Sequence, residues 1–233
     1  MSPSHHFAEI IPLGDSAAVV RFGDSIDLST HQSVRALYNS LSTSPPRGSL
    51  ELVPAYATVT VYYDPLKSTF EEIRQDLQRA VELLETLPDS PPETVEIPVC
   101  YGGDFGPDLE HVAEFNRLSC DEVIEIHSSP VYLVYMLGFT PGFPYLGGLS
   151  ERIATPRRTS PRLQIPAGSV GIAGNQTGIY PLQTPGGWQL IGRTPLALFR
   201  PDRSPSTILR AGDQVRFRPV KTFSEALDGM QIP

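Results

Sequence analysis

The chain has 233 residues, of which 40% are apolar and 19% charged, with a net charge of −8. That length suits one large or two ordinary domains. The acidic balance argues against nucleic-acid binding, and no run of about 18 apolar residues predicts a membrane span. The opening MSPSHHFAEIIPLGDS has no basic stretch followed by an apolar one, so no secretory leader is expected and the cytoplasm is the predicted compartment.

Residues 7–13 and 16–22 are apolar runs split by Gly14-Asp15, a hairpin signal. Val34, Leu37, Tyr38 and Leu41 follow at helical spacing. Two alternating segments, 50–54 and 57–63, then read as half-buried strands. Ser68-Thr69-Phe70-Glu71 fits an S-x-x-E capping box at the head of a helix running to about Thr86. The order ββαββα predicts two helices on one face of a four-stranded antiparallel sheet. The proline-rich segment 88–94 reads as a stiff joint, so a small α/β domain is expected over 1–88 and a second domain over 93–233.

The second half opens with a strand at 95–101, two helices near 108–117 and 120–127, and a buried strand at 131–137. The second helix begins at another capping box, Ser119 to Glu122. Short strands are then predicted at 169–173, 177–182, 188–193, 196–199 and 214–218, a pattern of barrels or sandwiches. The segment 138–149, GFTPGFPYLGGL, combines breakers with aromatic rings and is expected to be a stiff apolar loop rather than a helix or central strand.

Unusual chemistry gathers between Gly138 and Arg200. These 63 residues hold six arginines, one acid (Glu151), 11 of the 19 glycines and 8 of the 24 prolines, for a net +5 against −13 elsewhere. Arginine forks suit carboxylate or phosphate, so the segment predicts an anion site, unless acids elsewhere in the fold neutralise it. Several enzyme classes are excluded. GIAGNQTG at 171–178 lacks the G-K-[ST] ending of a phosphate loop, and PAGSVG has Ala167 where a nucleophile elbow needs glycine. Cys100 and Cys120 cannot form C-x-x-C, and no histidine pair has metal spacing, so no metal site is expected. His127, near a predicted helix end, reads first as a capping or core histidine. Trp188, the only tryptophan, either fills the barrel or walls a cleft. No complete catalytic set is visible, which predicts a protein that binds, or one that contributes half a site.

The strings LGFTPGFPYLGGL, PRRTSPRLQIPAGSVGIAGNQTGIYP and TPGGWQLIGRTP, in this order and spacing, resemble the family of the B subunit of 5-oxoprolinase. That family is also known as allophanate hydrolase subunit 1 and includes KipI-type inhibitors of a sporulation histidine kinase. The resemblance implies an α+β chain in which an N-terminal ββαββα sandwich domain precedes a cyclophilin-like β-barrel carrying the Gly/Pro/Arg-rich cleft. It implies a carboxyltransferase-type hetero-oligomer with A and C subunits that hydrolyses 5-oxoproline to glutamate, and a chain inactive without those partners. ATP would be a co-substrate of the assembly and not a ligand of this chain alone. It leaves open a kinase inhibitor binding a histidine kinase, or a hydrolase component for allophanate and related amides.

On that reading Arg157, Arg158 and Arg193 supply positive charge to the ligand carboxylate and an added phosphate. His127 carries a proton. Asn175, Gln176, Thr177, Tyr180, Gly186 and Gly187 line the cleft. Phe139, Pro141, Phe143 and Tyr145 form a partner-binding lip, against the alternative that this loop folds inward and plugs the barrel.

Overall fold

The structure, a computed structural model, describes residues 8–25, 27–84 and 94–227. The chain comprises two compact units, Met1–Pro91 and Pro92–Pro233. The proline-rich joint predicted at 88–94 lies outside the described residues except for Thr94, as do the last residues of the second predicted helix.

In the first unit, β1 (Glu9–Pro12), β2 (Ala17–Arg21), β3 (Ser49–Pro54) and β4 (Thr58–Tyr63) form an antiparallel sheet in the order β1-β2-β4-β3. Period-two alternation buries Ala18 and Val20 of β2 and Val59, Val61 and Tyr63 of β4 on one face. Helices α1 (Leu28–Thr43) and α2 (Phe70–Glu82) cover that face with Val34, Leu37 and Leu41 and with Ile73 and Leu77. The expected ββαββα order is observed.

The cap of α2 is one residue later than the sequence suggested. Thr69, not Ser68, is the N-cap, accepting from the Glu72 N–H while Glu72 accepts from the Thr69 N–H at 2.8 Å. Two overlapping S/T-x-x-E frames exist here. The choice is settled by Ser68, which is buried and donates to the Arg47 carbonyl at 2.7 Å, so it is unavailable as a cap.

The second unit is built on a closed seven-stranded barrel. Its strands are β5 (Thr94–Tyr101), β6 (Val131–Leu137), β7 (Pro144–Gly147), β9 (Ser169–Ala173), β10 (Gln176–Ile179), β12 (Gln189–Arg193) and β13 (Gln214–Pro219), and they close in the order β10-β7-β6-β13-β5-β12-β9. A separate two-stranded ribbon pairs β8 (Arg162–Ile165) with β11 (Thr184–Gly186). Helices α3 (Leu109–Asn116) and α4 (Cys120–Ser128) pack on the barrel, α4 through the predicted Ser119–Glu122 capping box, and α5 (Phe223–Leu227) ends the described chain. The barrel interior holds Ile97, Val99, Val134, Leu146, Val170, Ile172, Ile191 and Val215.

Three strands differ from expectation. Strand β7 lies inside GFTPGFPYLGGL. Pro144 is its first residue, where a missing N–H costs nothing. Gly147 leaves room for the Tyr135 ring, which a Cβ would meet at 1.9 Å, beside a bulge in β6. The ribbon strands β8 and β11 were hidden by their own proline and glycine. The strand expected at 196–199 is a single bridge, Phe199 to Thr207, because Pro195 and Pro201 bracket a segment too short for a ladder.

The observed cap gives a first test. Thr69→Ala should lower stability by about 1 kcal/mol, whereas Glu71→Ala should cost only a few tenths, because Glu71 serves exposed partners, Arg74 and Gln75, on the helix surface. Urea denaturation of the two variants checks this, and equal losses would contradict the assigned frame.

Candidate functional site

At one side of the barrel, beside the ribbon, aromatic rings gather around a cavity of about 240 Å³. Its lining residues are Phe139, Phe143, Tyr145, Arg157, Pro161, Tyr180, Pro185, Gly186, Gly187 and Trp188. The rings meet edge to face. Phe143 stands 5.2 Å from Tyr180 and 5.4 Å from Trp188, with interplanar angles of 78° and 87°. Such geometry sets the positive edge of one ring on the negative face of the next.

The packing is possible because facing positions lack side chains. A Cβ at Gly178 would lie 2.9 Å from the Phe143 ring, and one at Gly186 would lie 2.5 Å from Tyr180 Oη. Burial pushes the Tyr180 phenol up to about 12, and Tyr145 is raised for the same reason, with the Arg157 charge opposing in both cases. Both tyrosines are therefore neutral hydrogen-bonding groups at neutral pH.

Phe139 is the rim. It is 61% exposed, packs edgewise on Phe143 at 5.6 Å, and has φ 68°. The Thr140 N–H donates to the Gly138 carbonyl at 2.8 Å, closing a three-residue turn around Phe139. That hand of γ-turn is rare and strained for a bulky residue. GFTPGFPYLGGL is thus neither simply a lip nor a plug. Phe139 and Pro141 are exposed, but Phe143 is 1% exposed and walls the cavity, so it is not a partner-contact residue in this chain.

The arginines separate into three environments. Arg157 lines the cavity and has no carboxylate partner among the described residues. Arg158 and Arg162 both donate to Asp108 Oδ1, at 3.0 and 2.8 Å. The acid missing near them in the sequence is supplied from 50 and 54 positions away. Asp108 is 4% exposed, and its Oδ2 accepts from the Leu190 N–H at 2.7 Å. Sequence reasoning missed it, since an aspartate before a helix reads as a cap. Arg193 does not line the cavity. Its Nε donates to the Ala167 carbonyl at 2.8 Å and its guanidinium lies 5.9 Å from the Phe223 ring centroid.

His127 lies in the barrel interior, fully buried and stacked at 4.5 Å on Phe217. Thr177 Oγ1 donates its one proton to the Gly171 carbonyl at 3.0 Å, so it must accept from His127 Nε2–H at 2.9 Å. His127 Nδ1 then accepts from Tyr101 Oη at 2.7 Å. Burial lowers the His127 pKa to about 3. This neutral, enclosed imidazole is no proton carrier for a ligand in the cavity.

Thr177 is consumed by the same chain of hydrogen bonds. Asn175 sits with Gly174, at φ 60°, in the two-residue turn of the β9–β10 hairpin, and the expected Asn175-Gln176-Thr177 amide reader does not line the cavity. Of the expected cleft residues, Tyr180, Gly186 and Gly187 do.

Comparison with known proteins adds to this geometry. A family model described as carboxyltransferase domain, subdomain C and D, matches residues 8–209. The chain is 53% identical over 220 residues to a Bacillus subtilis protein named as the B subunit of 5-oxoprolinase, covering 90% of this chain and 91% of that one. A protein of the same name from Escherichia coli O157:H7 is 47% identical over 210 residues, covering 90% and 94%. The crystal structure of TTHA0988 superposes with a TM-score of 0.77 at 41% identity, spanning 88% of this chain and 40% of that one.

The buried histidine makes stability depend on pH. Its folded pKa lies below the ordinary value of 6.5, so the unfolded chain takes up a proton that the folded one refuses between about 3 and 6.5. The stabilisation is complete above pH 6.5 and erodes on acidification, at about 1.4 kcal/mol per pH unit at most. Urea titrations at pH 7.5, 6 and 5 should show a steeper loss for the wild-type chain than for His127→Gln, and parallel curves would contradict the assignment.

Proposed function

The chain belongs to the family of the B subunit of 5-oxoprolinase, and we propose that it serves as that component of an assembly that hydrolyses 5-oxo-L-proline to L-glutamate. One observation carries the placement of the substrate: an aromatic-walled cavity in which Arg157 is the one charged lining residue and has no carboxylate partner among the described residues. 5-Oxoproline is a small ring bearing one carboxylate. Its methylene faces suit the walls of Phe143, Tyr145 and Trp188, and its carboxylate suits a guanidinium fork. Gly186 and Gly187 let the ligand approach backbone at the cavity edge.

Hydrolysis requires water to add to the lactam carbon, the C–N bond to break, and the departing nitrogen to gain a proton. This chain supplies binding, orientation and positive charge beside the developing oxyanion. It supplies no general base to the cavity, because the phenols of Tyr145 and Tyr180 are raised and His127 is enclosed. Activation of the water is therefore assigned to another subunit. That is why the exposed Phe139 at the rim is read as a contact for such a subunit.

The residues of this chain do not fit a nucleotide. The segment 171–178 is a hairpin and not a phosphate loop at a helix start, and no cluster of His, Cys, Asp or Glu that could hold a metal occurs among the described residues. ATP is accordingly assigned to the partner subunits, and no step here runs through it.

The test is co-purification with cognate A and C subunits, followed by ATP-dependent glutamate release from 5-oxoproline. An inert full set, with this chain alone lowering autophosphorylation of a histidine kinase, would overturn the enzyme reading. Within an active assembly, Arg157→Ala should raise KM by roughly one to two decades with kcat little changed, on the scale of losing a hydrogen bond to a charged group (about 1.5–3 kcal/mol). A wild-type KM would remove Arg157 from the site.

A further inference from the structure

Asp108 stands at the N-cap position of α3 but makes no side-chain cap hydrogen bond. An aspartate there ordinarily accepts from the first-turn N–H groups. Instead its carboxylate turns away from its own helix and accepts three bonds from elsewhere, from Arg158 Nη1, Arg162 Nη2 and the Leu190 N–H. The Asp108 N–H in turn donates to the Leu190 carbonyl at 2.8 Å, so Asp108 and Leu190 are strapped together twice. A carboxylate at 4% exposure is tolerable only with such partners.

What this arrangement holds is the segment 156–162. The Pro156 carbonyl accepts from Gln189 Nε2 at 2.9 Å, and the Arg158 N–H donates to the Gly187 carbonyl at 2.7 Å. With both arginines tied to Asp108, the residues on either side of Arg157 are pinned to the start of β12. Arg157 has no ion pair of its own to fix it among the described residues. Its place at the cavity is inherited from its neighbours.

We propose that Asp108 is the positioning residue of the site, holding the 156–162 segment through Arg158 and Arg162 so that Arg157 faces the cavity. Two guanidiniums around one carboxylate also leave the cluster with a net positive charge beside Arg157, which favours anionic ligands over neutral ones.

The experiment has two arms, and only the kinetic one rests on the 5-oxoproline reading. In the assembly of all three subunits, Asp108→Asn should raise KM for 5-oxoproline about tenfold or more with kcat little changed, since bonds to charged groups are lost. In an Arg157→Ala background the same substitution should add almost nothing, because both changes remove one function. Effects that multiply would mark Asp108 as merely structural and overturn the proposal. In the second arm, hydrogen exchange on the full chain should show the Arg158 amide exchanging at least about tenfold faster in Asp108→Asn, with β9 and β12 amides unchanged. Unaltered protection at Arg158 overturns the proposal whatever the kinetics. Arg162→Gln, which leaves Asp108 its Arg158 and Leu190 bonds, should shift both readouts the same way by less, and it decides the matter should Asp108→Asn fail to fold. If the wild-type assembly leaves 5-oxoproline intact, the functional reading falls and the exchange arm alone judges Asp108.

Discussion

A closed ring of seven strands cannot alternate direction all the way round, since alternation needs an even number. At least one neighbouring pair must run parallel. Here it is β5 with β13, in register from Thr94 opposite Gln214 to Val99 opposite Pro219, while the other six pairs are antiparallel. Parallel neighbours need a long crossover, and everything from α3 to β12 serves as that crossover. The parity constraint therefore brings residues far apart in the chain to one side of the barrel. Asp108, just after the first barrel strand, meets Arg158 and Arg162 from the loop before the ribbon and Leu190 from a late strand. The candidate site is a product of barrel closure and not of a local motif.

This explains which features were legible in the sequence. The first unit could be read nearly whole, because its strands alternate, its helices repeat at 3.6 residues and its caps are local. In the second unit the apolar strands were legible, but β7, β8 and β11 were not, because each contains proline or glycine at a strand end or beneath a neighbouring ring. Glycines marked the zone of the site correctly for a reason only the fold reveals. Gly178 and Gly186 make space for Phe143 and Tyr180. The charge count over Gly138–Arg200 also located the site but overstated its free charge, since a window of sequence cannot include an acid fifty positions upstream. Arg157 is separated from Arg158 by tertiary pairing, and nothing in PRRTSPR distinguishes the two. His127 and Thr177 looked polar and available, yet they satisfy one another inside the barrel.

The same packing bears on how complete the site is. Edge-to-face rings and glycine floors make an apolar cavity with a single charged lining residue, suited to holding a small anion-bearing ring but lacking a group to move protons. Phe139 closes it at a cost. Its left-handed backbone stores of order 1–3 kcal/mol, while its edgewise contacts with Phe143 and Tyr180 return about 0.5–1.5 kcal/mol each. The two terms nearly cancel. A residue so balanced and so exposed is decided by whatever covers it, so in this reading contact from a partner chain would tip Phe139 toward closure and complete the cavity, coupling assembly to occupancy of the site.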